Sequence, residues 1–112
     1  MTDTSDSAIA YNDRGMERAE NDDFTGAIAD YTAAIAIDPD YAEAYYNRAY
    51  DRSEIQDYVG AIEDYSKVIE LVPDAAPAYF NRGLAKAKLG DAEGANADCA
   101  YAKNLDAKGL DA

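Results

Sequence analysis

Histidine is absent from this 112-residue chain, cysteine occurs once, at Cys99, and ten basic residues stand against 23 acidic ones. Each scarcity excludes something. Without histidine, without a serine or cysteine beside a plausible base, and without a glycine-rich phosphate loop, acid–base or nucleophilic catalysis would rest on carboxylates alone. Their spacing offers no site, so the chain is expected not to be an enzyme, and no cofactor or metal is assigned. A lone cysteine permits no internal disulfide or cysteine cluster and favours a cytoplasmic setting. The formal charge of −13 repels nucleic acid and anionic membrane. That acidity leaves two readings open, a solvated surface in a salt-rich cytoplasm or a charge directed at a basic partner. Apolar runs are a few residues long and are cut by Asp, Glu or Arg, so no membrane span is expected. The polar opening "MTDTSDS" reads as a frayed lead-in over residues 1–7 rather than a signal peptide.

What is present is repetition. "DFTGAIADYTAAIAIDPD", from Asp23, returns as "DYVGAIEDYSKVIELVPD" from Asp57, 34 residues on, with nine of eighteen letters identical. A weaker third copy, "DAEGANADCAYAKNLDAK", starts another 34 residues on, at Asp91. A fixed period of this length marks stacked supersecondary units. Helical periodicity predicts a first helix over Ala8–Asn21, Ala42–Ile55 and Ala76–Leu89, each followed by a turn signal. A second helix is predicted over Thr25–Asp38, Val59–Val72 and Glu93–Asp106, with Pro39 and Pro73 closing the first two copies.

The columns of the alignment explain the pairing. Gly15, Ala49 and Gly83 with Ala27, Ala61 and Ala95 are small where antiparallel helices must approach closely. Tyr11, Tyr45 and Tyr79, Phe24 and Tyr58, Tyr31 and Tyr65, and Ile37, Leu71 and Leu105 fill the space around them. The period of 34 and the series Tyr45, Ala49, Ala61, Tyr65, Pro73 resemble the tetratricopeptide (TPR) repeat. The resemblance implies an all-α, right-handed superhelical α-solenoid of three helix-turn-helix hairpins. Its single domain would run over residues 8–109, as copies 8–41, 42–75 and 76–109, followed by a short tail, 110–112.

Two departures from that pattern are informative. Pairs of basic residues one turn apart, Arg14 with Arg18, Arg48 with Arg52 and Arg82 with Lys86, precede Asp30, Asp64 and Asp98 by sixteen residues from the first of each pair. A bridge between the two helices is predicted three times over. In the third copy, Asn96 and Lys103 replace the isoleucines that would meet a further repeat, Ala92, Cys99 and Ala107 replace bulk and proline, and Lys108 with Gly109 reads as a helix stop. The last helix is therefore expected to cap the array with a polar face, with Cys99 as a small buried filler. "DPDYAE", from Asp38, has the opening rhythm of a calcium loop but lacks its glycine and full ligand set, and reads as a solvated turn.

Proteins that the chain resembles line a concave groove with their first helices and hold a peptide or a partner helix there. Position by position, that resemblance assigns Asn12, Met16, Tyr46, Asn47 and Tyr50 from the first two copies, and Phe80, Asn81 and Leu84 from the third. Tyr46, Tyr50, Phe80 and Leu84 form an apolar stripe apart from the core columns, while the asparagines would hold backbone amides. Chaperone adaptors of this family clamp a client's C-terminal carboxylate with two Lys, two Asn and one Arg. The matching positions here are Asn12, Met16, Asn47, Pro77 and Asn81, of which Asn47 alone agrees, so an acidic C-terminus is not the expected ligand. The implied partner is a protein or peptide, apolar with basic flanks, bound by a monomer. The alternative is a self-assembling scaffold module without a peptide ligand.

Overall fold

A computed structural model describes residues 4–111 of the chain, with side chains described from Asp6 to Ala107. Six helices succeed one another: α1 (Thr4–Glu20), α2 (Phe24–Ile37), α3 (Ala42–Glu54), α4 (Tyr58–Leu71), α5 (Ala76–Lys88) and α6 (Ala92–Asp111). Each pairs with its neighbour in sequence, and the odd-numbered helices graze one another along one side. The result is an α-solenoid of three hairpins, 46 × 34 × 21 Å. Its Cα radius of gyration of 14.6 Å exceeds the roughly 13 Å of a globular domain this long, as a one-dimensional stack requires.

The same local devices recur. Asp23, Asp57 and Asp91 are N-caps, their Oδ1 accepting from the backbone N–H of Gly26, Gly60 and Gly94 at 3.0, 3.0 and 2.9 Å, which satisfies an otherwise orphaned donor. Between the helices of each hairpin, Asp22, Gln56 and Gly90 take the left-handed conformation (φ 62°, 67° and 87°) that ends one helix and aims the next. The Tyr45 and Tyr79 hydroxyls donate to the Pro39 and Pro73 carbonyls, pinning the turns between hairpins. Close approach is real as well: a Cβ on Gly15 would lie 2.6 Å from the Tyr31 ring, and Ala27, Ala49 and Ala61 are fully buried.

The predicted bridges form in all three hairpins. Arg14, Arg48 and Arg82 each donate two bonds, from Nε and Nη2, to Asp30, Asp64 and Asp98, at 2.7 to 3.0 Å. A second cation, Arg18, Arg52 or Lys86, meets the same carboxylate at 2.9 Å. The three aspartates are buried, and each leading guanidinium lies over Tyr11, Tyr45 or Tyr79, 5.3 to 5.6 Å from the ring centre. Bonds from Arg14 hold Asp30 below the usual carboxylate range against its burial. Burial pushes Asp98 up, but its bonds from Arg82 and Lys86 outweigh this and leave it lowered.

Hairpins join through a second recurring set. Ala44 and Ala78 are buried without exposure against the preceding hairpin. Arg48 and Arg82 also donate through Nη1 to the Thr32 and Ser66 hydroxyls at 3.2 Å. In the last described hairpin the hydroxyl column becomes Ala100, and Asn96 and Lys103 are exposed.

The structure corrects three expectations at the ends. Helix α1 begins at Thr4, so Thr4 to Ser7 are helical rather than frayed, and residues 1–3 lie outside the described residues. Helix α6 runs past Lys108 and Gly109 to Asp111, because one glycine costs a helix about 1 kcal/mol without ending it and no proline comes after it. The Leu110 and Asp111 part of the expected tail is therefore helix. Cys99 is half-buried rather than buried, at the edge of the cleft between α5 and α6.

The bridges differ in solvent access, and that orders their value. Asp64 is served by arginines only 14% and 23% exposed, whereas those on Asp30 are about half exposed, at 55% and 43%. Asp64→Asn is expected to cost about 2 to 4 kcal/mol by stranding desolvated guanidinium groups. Asp30→Asn is expected to cost clearly less, because water already screens its cations. Urea denaturation of both variants checks the order, and equal midpoints would contradict it.

Candidate ligand groove

The grazing faces of α1, α3 and α5 form one side of the solenoid, and two cavities open on it where successive hairpins meet. The first, about 290 Å³, is lined by Met16, Ala19, Glu20, Phe24, Tyr31, Tyr46, Asn47, Tyr50 and Asp51. The second, about 340 Å³, is lined by Tyr50, Ser53, Glu54, Tyr58, Tyr65, Asn81, Leu84, Ala85 and Lys88. They are one mould used twice. Eight of the nine residues of the second are those of the first advanced by 34, with Tyr50 serving both as a shared wall. The period that builds the core therefore also builds both cavities.

Six of the eight predicted site residues line these cavities, Met16, Tyr46, Asn47, Tyr50, Asn81 and Leu84. Met16, Tyr50 and Leu84 are 40 to 50% exposed, as contact residues need to be. The stripe is not uniform, however. Tyr46 is half-buried, its ring meeting Tyr65 edge-on at 5.6 Å beside the central core cluster.

Two residues stand apart. Asn12 is 1% exposed, because the next hairpin closes over it and Asn47 Nδ2 donates to its Oδ1 at 3.1 Å. Phe80 is exposed but lies in a separate cleft of about 570 Å³ at the end of the array, between α5 and α6, with Ala76, Pro77, Cys99 and Lys103 among its neighbours. Asn12, Tyr46 and Phe80 occupy one column. In the first two hairpins the next one covers it, and in the third nothing does.

The asparagines are also partly spent. Asn81 Nδ2 donates to the Tyr46 hydroxyl at 2.7 Å, matching the bond from Asn47 to Asn12, so one amide proton of each ties hairpin to hairpin. Each keeps a second proton and a carbonyl oxygen.

Sequence reasoning overlooked Asp51. It is 4% exposed, and its Oδ2 has no hydrogen-bond partner. Burial, then the nearby charge of Glu54, pushes its carboxyl up from 3.8 to about 6, while the facing Tyr31 hydroxyl favours the ionised form without offsetting this. Burial, with Asp51 beside it, pushes the Tyr31 phenol up in turn. Asp30, Asp64 and Asp98 are each met by two cations; Asp51, the fourth buried aspartate among the described residues, meets none. Its column reads Glu17, Asp51, Ala85, and the buried alanine in the third copy was the available signal that an acid there is not required for packing.

Comparison with known proteins places this geometry. A family model described as TPR repeat matches residues 15–50 and 54–90. The crystal structure of MamA superposes with a TM-score of 0.93 at 31% identity, over 98% of this chain but only 64% of that one. The second TPR of Spaghetti (RPAP3), bound to the HSP90 peptide SRMEEVD, superposes at 0.87 with 32% identity over 90% of this chain and 94% of that one. The second TPR domain of human RPAP3, in complex with the HSP70 peptide SGPTIEEVD, superposes at 0.88 with 31% identity over 92% and 86%. No curated protein matches.

The buried carboxylate of Asp51 carries its own pH signature. A carboxyl raised on folding opposes the folded state once ionised, so the penalty is full above about pH 6 and absent below the ordinary value of 3.8. Asp51→Asn is therefore expected to be more stable than the parent at pH 8, by of order 1 to 3 kcal/mol, with the gap closing towards pH 4. Thermal melts of both proteins across that range test it, and a variant less stable at pH 8 would refute the assignment.

Proposed function

The chain belongs to the TPR repeat family, and from that premise we propose that it is a protein-interaction module without catalytic activity, binding an extended segment along α1, α3 and α5. All three hairpins are read as repeats of one domain, residues 8–109, the third by its offset of 34 and its own Arg82–Asp98 bridge. The observation that carries the reading is the pair of cavities sharing Tyr50. A half-exposed aromatic between two partly apolar hollows is the arrangement in which alternate side chains of a ligand find pockets.

The ligand differs from those of the RPAP3 domains, which are bound to SRMEEVD and SGPTIEEVD, both ending in the acidic run EEVD. Here the first clamp position, Asn12, is buried beneath the next hairpin, and the others offer Met16, Asn47, Pro77 and Asn81. No cation stands at those positions to meet a carboxylate, and the net charge of −13 opposes one further. An apolar segment with basic flanks fits both the walls and the field. The chain's setting is read as the cytoplasm, and the working species as a monomer.

The scaffold reading rests on the ends. Ala10 is exposed, whereas Ala44 and Ala78 in its column are sealed, and Phe80 lies open at the other end. A second copy docked head to tail would cover both. Light scattering at two concentrations separates a monomer from such an oligomer.

Tyr50→Ala with Leu84→Ala is the test of the groove. Both residues are about half exposed, so folding is expected to hold, while truncation of interface anchors commonly costs about 2 kcal/mol or more, roughly thirtyfold in affinity. The best binder from a displayed peptide library is titrated into parent and variant, with SRMEEVD as a control expected not to bind. Equal affinities would remove the groove assignment.

A further inference from the structure

The two cavities share a mould but not a charge. In the first, acids stand at Glu20 and Asp51 and no lysine or arginine lines the wall. In the second, Ala85 takes the place of Asp51 and Glu54 that of Glu20, and Lys88 joins the wall as a cation. The difference lies at a buried position: an aspartate 4% exposed against an alanine 2% exposed. Packing accepts alanine there, so the carboxylate is an addition, and a costly one when left unpaired.

The carboxylate's surroundings define what would pair with it. Oδ2 is buried without a partner and belongs to a residue that lines the cavity. The same cavity is lined by Phe24, Tyr31, Tyr46 and Tyr50, together with Met16. Aromatic faces favour a cation, and apolar walls accept a methylene stem. At about 290 Å³ the hollow lies at the lower edge of the roughly 300 to 1,000 Å³ typical of small-molecule sites, a size for one side chain.

We propose that this cavity is a receptor for a single lysine side chain of the bound segment, its ammonium paired with Oδ2 of Asp51 and its stem laid among the aromatic walls. Lysine is preferred to arginine because one free carboxylate oxygen suits a compact point charge, whereas a guanidinium fork needs two. The second cavity, with Ala85 at its floor and Lys88 at its rim, takes an uncharged apolar side chain. The charged and titratable groups around Asp51 are Glu20 on α1, Tyr31 on α2, Tyr46, Tyr50 and Glu54 on α3 and Tyr65 on α4. The raised carboxyl of Asp51, near 6, makes recognition weaken as pH falls through that value.

This inference rests on the groove reading above, and two probes keep the two apart. N-acetyl-lysine methylamide, with its norleucine counterpart as control, is titrated into the parent while Asp51 and Tyr31 are monitored by NMR. Saturable shifts with the lysine amide alone are expected, and their absence overturns the proposal whatever peptides do. Acetylated, amidated octapeptides of alanine and leucine, carrying one lysine, one arginine or one norleucine, are then compared by fluorescence anisotropy. Lysine is expected to bind about tenfold or more tighter than norleucine at pH 7.5, with the advantage lost at pH 5 and in Asp51→Asn. Peptides that bind without that preference, or a preference that survives Asp51→Asn, sink the lysine receptor and leave the groove standing. Saturable lysine-amide shifts with no peptide binding would do the reverse.

Discussion

A buried aspartate gripped by two cations, once per hairpin, is the constraint on which this architecture leans. Asp30, Asp64 and Asp98 are charges taken out of water, which is unfavourable unless every oxygen is bonded. A fork of two bonds from one arginine and a third from the next basic residue meets that need. The geometry is demanding: the fork sits on the odd-numbered helix and the acid on the even-numbered one, so it fixes both the rotation and the vertical register of the pair. Hydrophobic columns alone would tolerate sliding. Because Arg48 and Arg82 reach on to Thr32 and Ser66, the same residues that set each hairpin also set the angle between hairpins.

That arrangement was legible because it is local and periodic. An offset of sixteen residues, seen three times, identifies the partners without a structure. The small columns and the aromatic columns were legible for the same reason. Legibility failed where a residue's surroundings depend on the presence of a further hairpin. Asn12, Tyr46 and Phe80 share a column, yet one is sealed, one leans on the core and one is open, because the first two have a hairpin above them and the last does not. A pattern read copy by copy treats them alike. The helix ends failed differently, since a polar lead-in and one glycine are weak stop signals beside a stable hairpin.

Asp51 was missed for a third reason. In a chain with 16 aspartates, one more acid carries no compositional signal, and its column offers no consistent neighbour. Its distinction is physical: it is buried, and no cation answers it. Of the four buried aspartates among the described residues, three are satisfied by the fold and one is not. A group that the fold leaves unsatisfied marks a place where stability and binding pull apart.

Repetition and its breaking thus act at the same sites. An array of three identical hairpins would present two identical cavities, and nothing in them would tell one repeat from the next. Replacing one floor residue, so that the column reads aspartate between α1 and α3 and alanine between α3 and α5, makes the hollows unequal in charge, and Lys88 in the second widens the difference. Tyr50 lines both hollows. Specificity is a difference between affinities, and what distinguishes one hollow from the other is charge: an unpaired aspartate in the first, an alanine with Lys88 beside it in the second.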